Sequence, residues 1–210
     1  MLLQETGPLW YHWLLLAAAA ALAVFAWVKA LKAGRKRRER LRREGELWQR
    51  DARLREEYRL LTEEKLQNAD DEDLLRGVAM NIQMALEKEP DMNAAFAALS
   101  PARRAVYALD VFAGDAPRGL STFFRGNGYP LLPETAPALA AVGETAYLPL
   151  LEKLGPMFDP DSEVSVDNDA IAEADEQFRT LYKPAELYQK AAAFIRANKT
   201  DFLPPADKEE

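Results

Sequence analysis

Residues 100–114 read SPARRAVYALDVFAG, and the first two of them announce a helix. A serine at the N-cap accepts from an otherwise open backbone N–H, and Pro101 supplies the backbone angle of a first turn. Gly114 is the stop signal. Upstream, Leu74, Leu75, Val78, Ile82 and Leu86 fall at helical spacing, with Asp70 or Asp71 placed to cap the start and Pro90 to close the end. Downstream, DAPRGLSTFFRGNGYP, PETAPALAAVG and TAYLPLLEKLGPMF are each bounded by Pro or Gly and predict short helices with tight connections. After a polar acidic loop over 159–169, DAIAEADEQFRTLY and KPAELYQKAAAFIRANKTDFL regain helical periodicity through Ile171, Phe178, Leu181, Leu187, Ala191 and Ile195. No segment alternates as a strand does, so the expected class is all-α.

The chain has 210 residues, enough for one ordinary domain with additional segments. Its charge is unevenly placed. Residues 1–50 hold ten Lys and Arg against four Asp and Glu, a net of +6, whereas residues 51–210 hold seventeen against thirty, a net of −13. An acidic globular part repels phosphate, so direct nucleic acid binding is not expected of it. The chain lacks cysteine, which excludes disulfides, thiolate metal sites and cysteine nucleophiles. Its one histidine, His12, lies in an apolar run, which removes most zinc chemistry and the Ser/His/Asp relay. No enzyme activity and no cofactor are expected.

That apolar run, LWYHWLLLAAAAALAVFAWV from Leu9 to Val28, carries no formal charge over twenty residues. At about 1.5 Å per residue it spans roughly 30 Å, the thickness of a bilayer hydrocarbon core. Trp10, Tyr11 and Trp13 at one end and Trp27 at the other suit the headgroup interface. A secretory signal would carry its positive charge first, but the first eight residues include Glu5 and neither Lys nor Arg. The charge follows instead, as Arg35, Lys36, Arg37, Arg38, Arg40, Arg42 and Arg43. Such a block stays cytoplasmic and also suits anionic headgroups. The expected order is a short extracytoplasmic N-terminus (1–8), a single transmembrane helix (9–31), a basic, charged helical arm (32–67), a multi-helix globular domain (70–203) and a flexible tail (204–210). This places the protein in a bacterial cytoplasmic (inner) membrane, with its N-terminus out and its domain in. Ala17 and Ala21 form a small-xxx-small pair compatible with dimerisation, though five consecutive alanines create such spacing by composition alone. In the arm, Leu47, Leu54 and Leu61 repeat every seven residues with Tyr58 beside them. The repeat fits a coiled-coil stalk or, as we favour, a stripe docked on the chain's own domain.

Between the helices, Gly119, Leu120, Phe123, Phe124 and Asn127, together with Gly143 in ALAAVGETAYLPLLEKL and the closing pieces EQFRTLY and FIRANKTDF, resemble the bacterial DNA-mimic-protein-nineteen-like family. The resemblance covers roughly residues 70–203. That family carries an Asn-Gly-Gly-Phe-x-x-aromatic-Phe-x-Asn type of signature. Pro117, Arg118 and Gly126 depart from it, and Asn127 stands one place late. The resemblance implies an all-helical binding module whose carboxylates imitate the charge array of DNA and occupy a basic or DNA-binding protein. Asp70, Asp71, Glu72 and Asp73, with Asp161, Glu163, Asp167 and Asp169, are the local concentrations of acid available for such a face. The plainer reading of the same charge is solubility.

Other chemistry fits less well. Asp159, Asp161, Glu163 and Asp167 invite a calcium loop, but Val164 stands where the loop needs Gly and Ala170 where it needs Glu. RGNG is followed by no GK[ST], so it is not a phosphate loop. Phe123 and Phe124 beside Arg118 and Arg125 fit a stacking site, although an aromatic pair in a short helix is more often core. The expected function is a non-enzymatic, membrane-anchored cytoplasmic interaction domain with the bilayer and an unknown protein, in one form a basic one, as its partners. The alternative is an envelope or immunity-type adaptor that recognises its partner through the 116–130 loop.

Overall fold

The computed structural model describes residue 29, residues 41–42 and residues 45–204. The apolar run 9–28, its interfacial aromatics Trp10, Tyr11, Trp13 and Trp27, the basic residues Arg35, Lys36, Arg37, Arg38, Arg40 and Arg43, and the tail beyond residue 204 lie outside these. Among the described residues no helix is long and apolar enough to cross a membrane. The chain divides into two compact units, Met1–Ala52 and Arg53–Glu210. In the first, residues 45–52 are helical, Arg42 and Glu46 pair one turn apart at 2.9 Å, and Leu41, Leu47 and Trp48 are exposed.

The second unit is all-helical over its described residues. A helical turn at 53–57 (α1) leads to α2 (Glu63–Asn68), α3 (Asp71–Leu86), α4 (Met92–Ala97) and α5 (Pro101–Asp115). There follow α6 (Leu120–Phe123), a π turn (Phe124–Gly128), α7 (Tyr129–Ala141), α8 (Leu148–Phe158), α9 (Asn168–Leu181) and α10 (Pro184–Ala197). Local chemistry fixes the starts. Thr62, Asp70, Asp91, Ser100 and Asp167 each accept from a backbone N–H of the first turn that follows, satisfying donors a helix leaves open. α7 ends in a Schellman turn. Gly143, at φ 76°, donates to Ala140 and Glu144 donates to Leu139.

α5 is the hub, packed against α3, α7 and α10. Phe112 on its buried face meets the rings of Phe123, Tyr147, Phe178 and Tyr182 at centroid separations of 5.3 to 6.5 Å, which ties α5 to α6, to the turn before α8, and to α9 and its C-cap. Leu74, Leu75, Val78, Ile82 and Leu86 all point into this core. Leu54, Tyr58 and Leu61 are buried in it too, while Leu47 is 58% exposed. The short helices expected around PETAPALAAVG and the preceding YPLL are in fact one helix, α7, with Pro133 and Pro137 inside it. Both prolines lie on the exposed side, where the carbonyls they leave unpaired meet water, and so the helix continues through them.

Candidate partner-binding surface

The connection from α5 to α7 carries the signature-like residues, and it is built from the inside. Gly119 sits at φ 111°, a region side chains avoid, and a Cβ there would come within 2.9 Å of the Asp175 carboxylate. Asp175 reaches across from α9, 9% exposed, and accepts from both the backbone N–H (3.0 Å) and the hydroxyl (2.6 Å) of Ser121. Leu120, Phe123 and Phe124 fill the core below. Phe124 stacks on Phe158 of α8 with ring planes 4° apart, and the Arg125 guanidinium stands 6.0 Å over the same Phe158 ring. Arg118 pairs with Asp115. The π turn holds the backbone of Asn127, and Gly128 packs so closely on Phe123 that a Cβ would meet it at 2.5 Å. The aromatic pair is therefore core and is not presented for stacking.

The two acidic concentrations differ in kind. Asp70 is committed to capping α3, Asp71 pairs with Arg196 at 2.8 Å, and Asp73 pairs with Arg53 at 3.3 Å. Glu72 stands beside them in the first turn of α3, where the helix dipole favours an acid. The other cluster has no such compensation. Asp161 and Glu163 are exposed, as is Glu152 on α8, and none of the three makes an ion pair among the described residues. Asp167 caps α9 through the N–H groups of Asp169 and Ala170, and Asp169 is exposed in its first turn. On other faces some carboxylates are neutralised in place, as with Arg76–Asp110, Arg104–Glu134, Lys153–Glu173 and the buried Glu144 held by Lys190 at 2.6 Å, while Glu56, Glu57, Glu64 and Glu89 are exposed singly or in pairs without an ion pair among the described residues.

Beside the uncompensated carboxylates, α7 and α8 diverge to leave a groove of about 400 Å³ lined by Tyr129, Leu132, Leu151, Gly155 and three prolines, with Glu152 and Asp159 at its edge. The Tyr129 hydroxyl donates to the Asp159 carboxylate, which the Asp161 N–H also reaches at 2.9 Å. These two hydrogen bonds hold the carboxyl below its ordinary 3.8, and the same contact raises the tyrosine hydroxyl above 10.0. Among the described residues no group of histidine, aspartate or glutamate is arranged to hold a metal ion. Sequence reasoning passed over Asp175, Glu152 and Asp159 as members of a surface. Only Asp175 had a readable signal, since it interrupts the apolar stripe Ile171, Ala174, Phe178 with an acid.

Against known proteins, the family model described as DMP19-like protein matches residues 97–198, the span from the end of α4 to the end of α10. No curated protein and no solved structure matches the chain.

Proposed function

The chain carries a DMP19-like domain, and from that premise we propose that it is a membrane-tethered, non-enzymatic binding module whose acidic domain engages a basic, DNA-binding type of protein at the inner face of a bacterial membrane. The observation that carries the proposal is the division of the carboxylates. The run at 70–73 is largely committed to a cap and to ion pairs, while Glu152, Asp159, Asp161 and Glu163 gather at the end of α8 without an ion pair among the described residues. Four acids gathered beside one apolar groove concentrate their charge where a partner can use it. A field of one sign steers and selects a partner of the other. The tether is supported by the uncharged run Leu9–Val28 and the basic block behind it.

The 116–130 loop is less suited to be the recognition element. Arg118 is engaged by Asp115, Arg125 lies over Phe158, and Leu120, Phe123 and Phe124 are inside the core, which leaves only Tyr129 and Pro130 at its end facing the groove. The test is co-purification from detergent-solubilised membranes under increasing salt. Bound proteins are expected to be basic, to elute as salt screens the contact, and to be lost when Asp161 and Glu163 are both changed to Lys. Partners that persist at high salt, or that are acidic, would overturn the proposal. A C-terminal reporter active only on the periplasmic side would overturn the orientation.

A further inference from the structure

We propose that the groove between α7 and α8 is the docking site for a partner segment that presents a bulky apolar side chain flanked by lysine or arginine. This rests on the basic-partner reading above and names where, and by what chemistry, such a partner is held.

The groove's walls explain the apolar half of the requirement. Pro130 and Pro133 on α7 and Pro156 on α8 offer no backbone N–H, and Leu132 and Leu151 add hydrocarbon. Gly155 lets Leu132 lie directly on the α8 backbone, since a Cβ at that position would stand 2.9 Å from the leucine's δ2 methyl. The lining therefore offers little for a polar ligand to pair with. Its volume lies in the roughly 300–1,000 Å³ range of sites that take a buried side chain or small ligand. The Phe124–Phe158 stack ties the turn that leads into α7 to the end of α8, so the two walls are joined at this end of the groove.

The edge explains the basic half. Glu152 and Asp159 border the groove, and Asp161 and Glu163 follow in the loop beyond it. The Tyr129 hydroxyl keeps Asp159 ionised down to a pH below the ordinary carboxylate range. Of the nearby cations, Lys153 is paired with Glu173, and Arg125 over Phe158 keeps its charge against four carboxylates. The balance at this edge is negative, so an anionic occupant is disfavoured, whereas lysine or arginine on either side of an inserted apolar side chain meets its counter-charge.

The experiment uses the full chain in zwitterionic detergent micelles, with empty micelles as the blank, and fluorescence anisotropy of two labelled hexapeptides. One has the sequence Lys-Lys-Leu-Phe-Lys-Lys. The other replaces its central pair by two serines. The apolar peptide is expected to bind about tenfold more tightly or better, the margin set by burying one large side chain. Leu132→Gln is expected to remove that margin and Glu152→Lys to weaken both peptides severalfold, while Glu176→Lys, on a carboxylate already paired with Arg179, leaves both intact. Glu152 is exposed, so its variant tests the idea even if Leu132→Gln lowers stability. Equal binding of the two peptides would overturn the groove as the site while leaving a purely electrostatic basic partner standing. A preference that survives Leu132→Gln, or binding of both peptides that is unchanged by Glu152→Lys, would overturn it as well. Failure of both peptides to bind would overturn it too, and the co-purification experiment would then decide the broader reading alone.

Discussion

Replacing Asp175 with Ala tests how the signature-like loop is held. The carboxylate accepts two hydrogen bonds from Ser121, at 3.0 and 2.6 Å, and is nearly buried where it does so. Hydrogen bonds to a charged group contribute about 1.5–3 kcal/mol each, and the two share one acceptor, so we expect a loss of about 3 kcal/mol. For a domain of this size that corresponds to a fall in melting temperature of roughly 6–12 °C. Asp175→Asn keeps one acceptor for the Ser121 N–H and lets its amide donate to the Ser121 hydroxyl, so its cost should be nearer 1 kcal/mol. Gly119→Ala adds a second arm. Its backbone strain at φ 111° is independent of Asp175, but the clash at 2.9 Å is not. The cost of Gly119→Ala should therefore be smaller in the Asp175→Ala background than in the wild type, a non-additivity of about 1 kcal/mol. Thermal and urea melts of the full chain, followed by far-UV circular dichroism, measure all four corners of the cycle. If Asp175→Ala melted within a degree or two of wild type, or the two substitutions were strictly additive, the contact would not be what fixes the loop.

Two glycines should respond to alanine in opposite directions. Gly77→Ala puts a methyl within 2.4 Å of the buried Tyr58 ring and should destabilise by about 1–2 kcal/mol after the helix-propensity gain, whereas Gly114→Ala meets nothing within 4 Å and should stabilise by up to about 1 kcal/mol; denaturant midpoints separate them. The protein should also lose stability in alkali. Burial first, and then the charges of Glu57 and Glu144, push the Tyr58 and Tyr147 hydroxyls up to about 12. Because the folded values lie above the unfolded value of about 10, this stabilisation is complete below pH 10 and is lost as pH rises through 12, by about 2–3 kcal/mol for each tyrosine. Tyrosinate absorbance rising near pH 10 without any loss of stability would contradict it.

What could be read from the sequence was what local chemistry encodes. Asp70, Ser100 with Pro101, and the spacing of Leu74, Leu75, Val78, Ile82 and Leu86 each carry their meaning within a few residues, and the caps and the α3 stripe stand where that chemistry puts them. The α7 prolines misled for the same reason. A proline breaks a helix as a local rule, yet on the solvent side of a packed helix the lost hydrogen bonds are replaced by water, and Ala138 and Leu139 are still buried. α4 passed unread because MNAAFA is too short for a period to show. The site was less legible still. That Asp71 and Asp73 are neutralised depends on Arg196 and Arg53, and that Asp175 anchors the loop depends on Ser121, fifty-four positions away. No window of sequence contains both members of such pairs.

The pairing pattern changes what the net charge means. Exposed ion pairs contribute only about 0–1 kcal/mol to stability, so Arg53–Asp73 or Lys153–Glu173 does little to hold the fold. Their larger effect is on the field, because a carboxylate with a cation at 3 Å looks nearly neutral from a Debye length of about 10 Å away. A partner approaching the start of α3 therefore meets caps and ion pairs, and the four consecutive acids at 70–73, the densest in the chain, contribute less there than their number suggests. Approaching the end of α8, it meets Glu152, Asp159, Asp161 and Glu163 with no ion pair among the described residues, beside an apolar groove. The array with the fewer consecutive acids is the stronger attractor, and that inversion arises from which carboxylates the fold has already neutralised.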